Sequence, residues 1–92
     1  MRVSVKSIFE TNYAEKIYLT LLPELDRLVT DRSSISFKAD NGLIILEVEA
    51  DDLVSMRSTL NTWYRLVNVA YESCLIADAY KTSVTFYNKQ PF

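Results

Sequence analysis

The sequence predicts an α+β domain of two layers, with two helices packed on one face of a three-stranded antiparallel sheet in the order β-α-β-β-α. Three observations carry that expectation. Asp40-Asn41-Gly42-Leu43 sets Asn-Gly between two alternating apolar and polar runs, the preferred composition of a two-residue hairpin turn. A third alternating run opens the chain. Two apolar stripes at 3-4 spacing, one short and one seven turns long, mark the helices.

Residues 2–9 read as the first strand, with Val3, Val5 and Phe9 sharing one side with Ser7, and Arg2, Ser4 and Lys6 sharing the other with Ile8. The first helix is expected over 12–22. Asn12 and Glu15 fit a capping pair, Thr11 is the competing cap, and Tyr13, Ala14, Ile17, Tyr18, Leu21 and Leu22 recur at helical spacing. Pro23 is expected to stop this helix, because the residue before a proline is pushed out of the α region. Residues 23–32, with Leu25, Leu28 and Val29, then read as a charged connection within the domain.

The Asn-Gly turn sets the hairpin register. Ala39 faces Ile44, Phe37 faces Leu46 and Ile35 faces Val48 on the apolar side, while Ser36 faces Glu47 and Ser34 faces Glu49 on the wet side. Lys38 pairs with Ile45 and lies diagonal to Glu47, within reach of an ion pair. Asp51 and Asp52 then cap a helix expected over 52–80, whose stripe is Leu53, Met56, Leu60, Trp63, Val67, Ala70, Cys74 and Ala77, widened by Tyr64 and Tyr71. At 1.5 Å per residue this helix is roughly 40 Å long, beyond the reach of strands of seven or eight residues. Residues 82–87 are β-branched and aromatic and read as an added C-terminal strand, followed by a fraying end. The chain is thus one domain, 1–92, with a core over 1–80 and a tail or added strand over 81–92.

Composition removes several chemistries. The 92 residues include no histidine, one glycine (Gly42) and one cysteine (Cys74). That leaves no histidine-based catalytic triad, no glycine-rich phosphate loop, no internal disulfide and no usual set of transition-metal ligands. No cofactor, metal site or enzyme activity is expected. Net charge −2 disfavours a protein that clamps nucleic-acid phosphates by itself. No apolar run approaches a membrane span and the N-terminus lacks an apolar signal segment, so a soluble cytoplasmic chain is expected.

The long helix carries more than its core stripe requires. Leu66, Val69 and Ile76 fall opposite that stripe at about 100° per residue, where they read as scattered surface hydrophobes or as a contact patch for another subunit. Arg57, Asn61 and Arg65 line up at i, i+4 and i+8 with Asn68 and Glu72 beside them. They form a solvated face or hold a partner's carboxylates or an RNA phosphate. Glu47, Glu49, Asp51 and Asp52 could bind a hard cation or do acid–base work, but a wet strand face plus a helix cap explains them better. Cys74 lies on the packing stripe and reads as a small buried hydrophobe. Trp63 and the tyrosines fit helix cores better than a base-stacking platform.

The run R-S-S-I-S-F-K-A-D-N-G-L-I-I-L-E-V-E-A-D-D-L-V-S-M-R-S-T-L-N-T-W-Y-R-L-V, from Arg32 to Val67, together with Y-L-T-L-L-P-E at Tyr18 to Glu24, resembles the Pcc-one family. That family comprises small dimerisation subunits of the archaeal and eukaryotic KEOPS complex. The resemblance implies a non-catalytic role in transferring a threonylcarbamoyl group to the adenosine 3′ of the anticodon in tRNAs that read codons beginning with A. It implies a homodimer that docks its helices on N-terminal helices of the catalytic subunit, with a kinase-like subunit and tRNA as indirect partners. By position it points to the helix 52–70, with Arg57, Asn61 and Arg65, and to the helix 12–22. Because the chain continues through 75–92, past the usual family ending, it fits either a dimer-forming member or a paralogue that pairs with one. A stand-alone RNA-binding module is the alternative of another class.

Overall fold

In the computed structural model, which describes residues 1–27 and 33–88, the hairpin organises the sheet. Asn41 and Gly42 have φ of 48° and 80°, the left-handed pair that a type I′ turn needs and that asparagine and glycine tolerate best. Strands β2 (Ser33–Asp40) and β3 (Leu43–Ala50) therefore pair with Ala39 opposite Ile44, Phe37 opposite Leu46 and Ile35 opposite Val48, as the sequence predicts. Strand β1 (Val3–Glu10) pairs antiparallel with the other edge of β3, giving the order β1-β3-β2. The register sets Val5 opposite Val48 and Phe9 opposite Ile44, so all three strands turn apolar side chains to one face. The Thr11 N–H donates to the Gly42 carbonyl at 2.9 Å, tying the end of β1 to the hairpin turn.

Helices α1 (Ala14–Arg27) and α2 (Leu53–Asn88) cover that apolar face. Ala14, Ile17 and Leu21 from α1 meet Met56, Trp63, Val67 and Ala70 from α2 over Phe37, Ile44, Leu46, Val48 and Ala50. Asp52 caps α2, with Oδ1 accepting from the Ser55 N–H at 2.7 Å. At the other helix Thr11, and not Asn12, makes the local bond: its Oγ1 accepts from the Tyr13 N–H at 3.1 Å.

Two expected boundaries are corrected. Pro23 does not end α1, which runs on to Arg27. Proline removes one helical hydrogen bond, yet Pro23 stands on the exposed side while Leu21 and Leu25, one turn apart, pack on the core and carry the helix forward. Residues 28–32, with Leu28 and Val29 of the expected connection, lie outside the described residues, as do 89–92. Residues 82–87 form no strand; they belong to α2, so 81–88 continues the core helix rather than adding to the sheet. With no proline or glycine between Leu53 and Pro91, extending a formed helix adds one hydrogen bond per residue and outweighs weak strand propensity. The 36 residues of α2 span about 54 Å, which dominates a molecule 65 × 23 × 18 Å.

Smaller expectations also resolve. Lys38 lies opposite Ile45 but forms no ion pair with Glu47. Instead Arg2 reaches Glu49 at 2.9 Å and Asp51 at 3.1 Å. Among the described residues no helix is long and apolar enough to cross a membrane.

Trp63 is the largest fully buried side chain, and its Nε1 finds no acceptor among the described residues. An unmade buried hydrogen bond costs roughly 1–3 kcal/mol. Trp63→Ala is therefore expected to lose about 3–5 kcal/mol in urea unfolding. Trp63→Phe, which removes the orphan donor and keeps an aromatic ring, is expected to lose less than half as much.

Candidate partner-binding surface

α2 outruns the sheet that supports it. Strands of eight residues reach about 26 Å, and the fully buried positions of α2 end at Ala70, with Cys74 and Asp78 half-buried beyond it. Among the described residues the last tie lies at Asp78, whose Oδ2 accepts a hydrogen bond from the Tyr13 hydroxyl at the start of α1. Tyr71 packs edge-on to the Tyr13 ring, with centroids 5.9 Å apart. Nearer the middle of α2, the Tyr64 and Ser7 hydroxyls lie 2.6 Å apart and the Tyr64 ring meets Phe9 at 5.9 Å, fastening α2 to β1.

Beyond these ties the outer faces of both helices are partly apolar. Val69 is 53% exposed and Ile76 69% exposed, as expected for residues opposite the core stripe. Leu66 is not with them: it is half-buried and packs on the core. It lies only about 80° around the helix from Cys74, whereas Val69 and Ile76 lie about 140° and 160° away. On α1, Leu22 is 39% exposed rather than a core residue, and Leu19 is 62% exposed. Leu19 was absent from the sequence-based stripe, although its place two residues from buried Ile17 puts it on the far side of α1.

A groove of about 440 Å³ runs between the helices. Lys16, Leu19 and Thr20 line it from α1, and Ala70, Ser73, Cys74 and Ala77 line it from α2. The small residues on α2 open the groove, since a leucine at 70, 73 or 77 would fill it. Sequence patterning placed Ala70 and Ala77 on a core stripe but could not show that α1 would leave room beside them.

Arg57, Asn61 and Arg65 are all exposed along α2 and have no ion-pair or hydrogen-bond partner among the described residues. Asn68 and Glu72 bond to each other at 3.4 Å. Three of the four carboxylates considered for cation binding are engaged otherwise: Arg2 holds Glu49 and Asp51, and Asp52 caps α2, while Glu47 stands exposed on the wet face of β3. No group of three or more potential metal ligands occurs among the described residues. The surface offers apolar contact and fixed charges, which suit binding rather than bond-making.

The Tyr13 phenol is pushed up to about 12, chiefly by its hydrogen bond to Asp78 and then by desolvation and the Asp78 charge. The bond favours the protonated phenol, so its contribution to stability is complete below pH 10 and is lost as pH rises from 10 to about 12. Absorbance at 295 nm is expected to show one of the six tyrosines ionising late. Asp78→Asn is expected to return that titration toward 10.

Similarity to known proteins bears on this surface. Residues 2–74 match the family described as "Transcription factor Pcc1". The chain is also 34% identical over 74 residues to a Pyrococcus abyssi (strain GE5 / Orsay) protein named "KEOPS complex subunit Pcc1". That alignment covers 77% of this chain and 90% of the relative.

Proposed function

The chain belongs to the Pcc1 family, and from that premise we propose that it is a non-catalytic, homodimerising subunit of a KEOPS complex. It docks the outer faces of α1 and α2 on the catalytic subunit and so supports threonylcarbamoylation of the adenosine next to the tRNA anticodon. The kinase-like subunit and tRNA are reached through the assembly, in the cytoplasm.

One observation carries this reading: the exposed apolar area is divided between two adjacent helices and flanks an open groove between them. Leu19 on α1 and Val69 and Ile76 on α2 stand out from a face whose groove is lined by small side chains. Helices of a partner can lay apolar ridges into such a groove, burying area that would otherwise face water. Arg57 and Arg65 precede this region on the same helix, exposed and without an ion-pair partner among the described residues, available to a partner's carboxylates. The absence of histidine and of glycine-rich loops fits a subunit whose partner supplies the active site.

Light scattering of the isolated chain at tens of micromolar is expected to give a dimer, and a strict monomer overturns the homodimer reading. For docking, Leu19→Asp, Val69→Asp and Ile76→Asp combined are expected to lower capture by the catalytic subunit at least tenfold, because each buries a charge at the contact. Leu66 is left unchanged, since its substitution would disturb the core. Wild-type capture by a variant with a native circular dichroism spectrum removes these faces from the docking site.

A further inference from the structure

We propose that the cleft between β1 and α2 receives an arginine side chain from an extended segment of a partner protein, at a site separate from the α1–α2 groove. The cleft holds about 440 Å³ and is walled by Phe9, Tyr64 and Tyr71. Buried Ile17 and Val67 form its floor, and Glu10, Thr11 and Asn68 its rim. It adjoins a second cavity of about 590 Å³ at the hairpin end, which shares Glu10, Thr11 and Tyr71 with it.

Charge and ring chemistry select the occupant. Glu10 is exposed and has no ion-pair partner among the described residues, and no lysine or arginine lines either cavity. Asn68 is bonded to Glu72, which brings a second carboxylate near the rim. Tyr64 and Tyr71 are 40% and 37% exposed, so their rings remain open to a ligand. A guanidinium stacks on such faces while its N–H groups fork to a carboxylate. A nucleic-acid phosphate entering the same cleft would meet Glu10 and find no cation.

The backbone favours a protein segment as the carrier. β1 pairs only with β3, so its other edge is open in the described sheet. An extended segment added to that edge alternates its side chains, and one set then points toward the helices and the cleft. The ties that build the wall, Tyr64 to Ser7 and Phe9 and Tyr71 to Tyr13, hold the rings in place before any partner arrives.

The test is an amide NMR titration of the full chain with acetyl-Gly-Arg-Gly-amide, its citrulline counterpart and adenosine 5′-monophosphate. The arginine peptide is expected to shift the Glu10 and Tyr71 amides saturably in the millimolar range, with the neutral citrulline peptide at least fivefold weaker. Glu10→Gln is expected to weaken arginine-peptide binding roughly two- to fivefold, and Tyr71→Leu by a similar factor. Glu10 is exposed at a strand end, so its variant keeps the fold, and the remaining amide spectrum verifies this. Equal binding of the citrulline peptide, no saturable shift, or tighter binding of the nucleotide overturns the proposal.

Discussion

The two helices share one anchor, the ring of Phe37 in β2. Tyr18 from α1 stacks on it with centroids 5.7 Å apart, and Trp63 from α2 tilts against it at 5.2 Å. Aromatic pairs of this kind contribute about 0.5–1.5 kcal/mol each beyond the area they bury. Burial adds more: at about 25 cal/mol per Å², an indole of some 200 Å² yields on the order of 5 kcal/mol. That exceeds the roughly 1–3 kcal/mol cost of the unbonded Trp63 Nε1, so packing wins over hydrogen bonding here. Phe37 faces the helices because the Asn-Gly turn sets its register, and a slip of one residue would turn it to water.

The second constraint is one of length. α2 is about twice as long as the strands beneath it, so the sheet cannot bury all of it. The bond from Tyr13 to Asp78 carries the α1–α2 contact beyond the buried stripe. Val69 and Ile76 remain exposed because they face away from the only layer available. Leu19 adds apolar surface from α1, and the small residues Ala70, Ser73 and Ala77 keep the space between the helices open. A structure in which length exceeds support is suited to completion by another chain, in keeping with membership of the Pcc1 family.

Much of this was legible in the chain. Asn41-Gly42, the alternation on either side of it, and Asp52 before a long apolar stripe gave the hairpin, its register and the α2 cap, because each is a local preference that tertiary contacts reinforce. Pro23 and residues 82–87 were misleading for the opposite reason. Proline is a local breaker, but the packing of Leu21 and Leu25 overrode it. Strand propensity at 82–87 gave way to a helix already under way. Of the residues expected to bind a partner, Arg57, Asn61, Arg65, Val69 and Ile76 are exposed on α2, while Leu66 turns to the core.

The sequence by itself determined which side chains share a face, since periods of 2 and 3.6 are properties of single strands and helices. It also determined that Gly42 and Cys74 serve a turn and a packing stripe, leaving no histidine or second cysteine for catalysis. Tertiary structure alone decided how these faces meet. It placed β1 beside β3 rather than β2, drew Leu66 inward, left Leu19 outside, and opened a groove on one flank of α2 and an aromatic cleft on the other. These outcomes depend on the positions of elements distant in sequence, and periodicity fixes a residue's direction on its own element without saying what stands opposite.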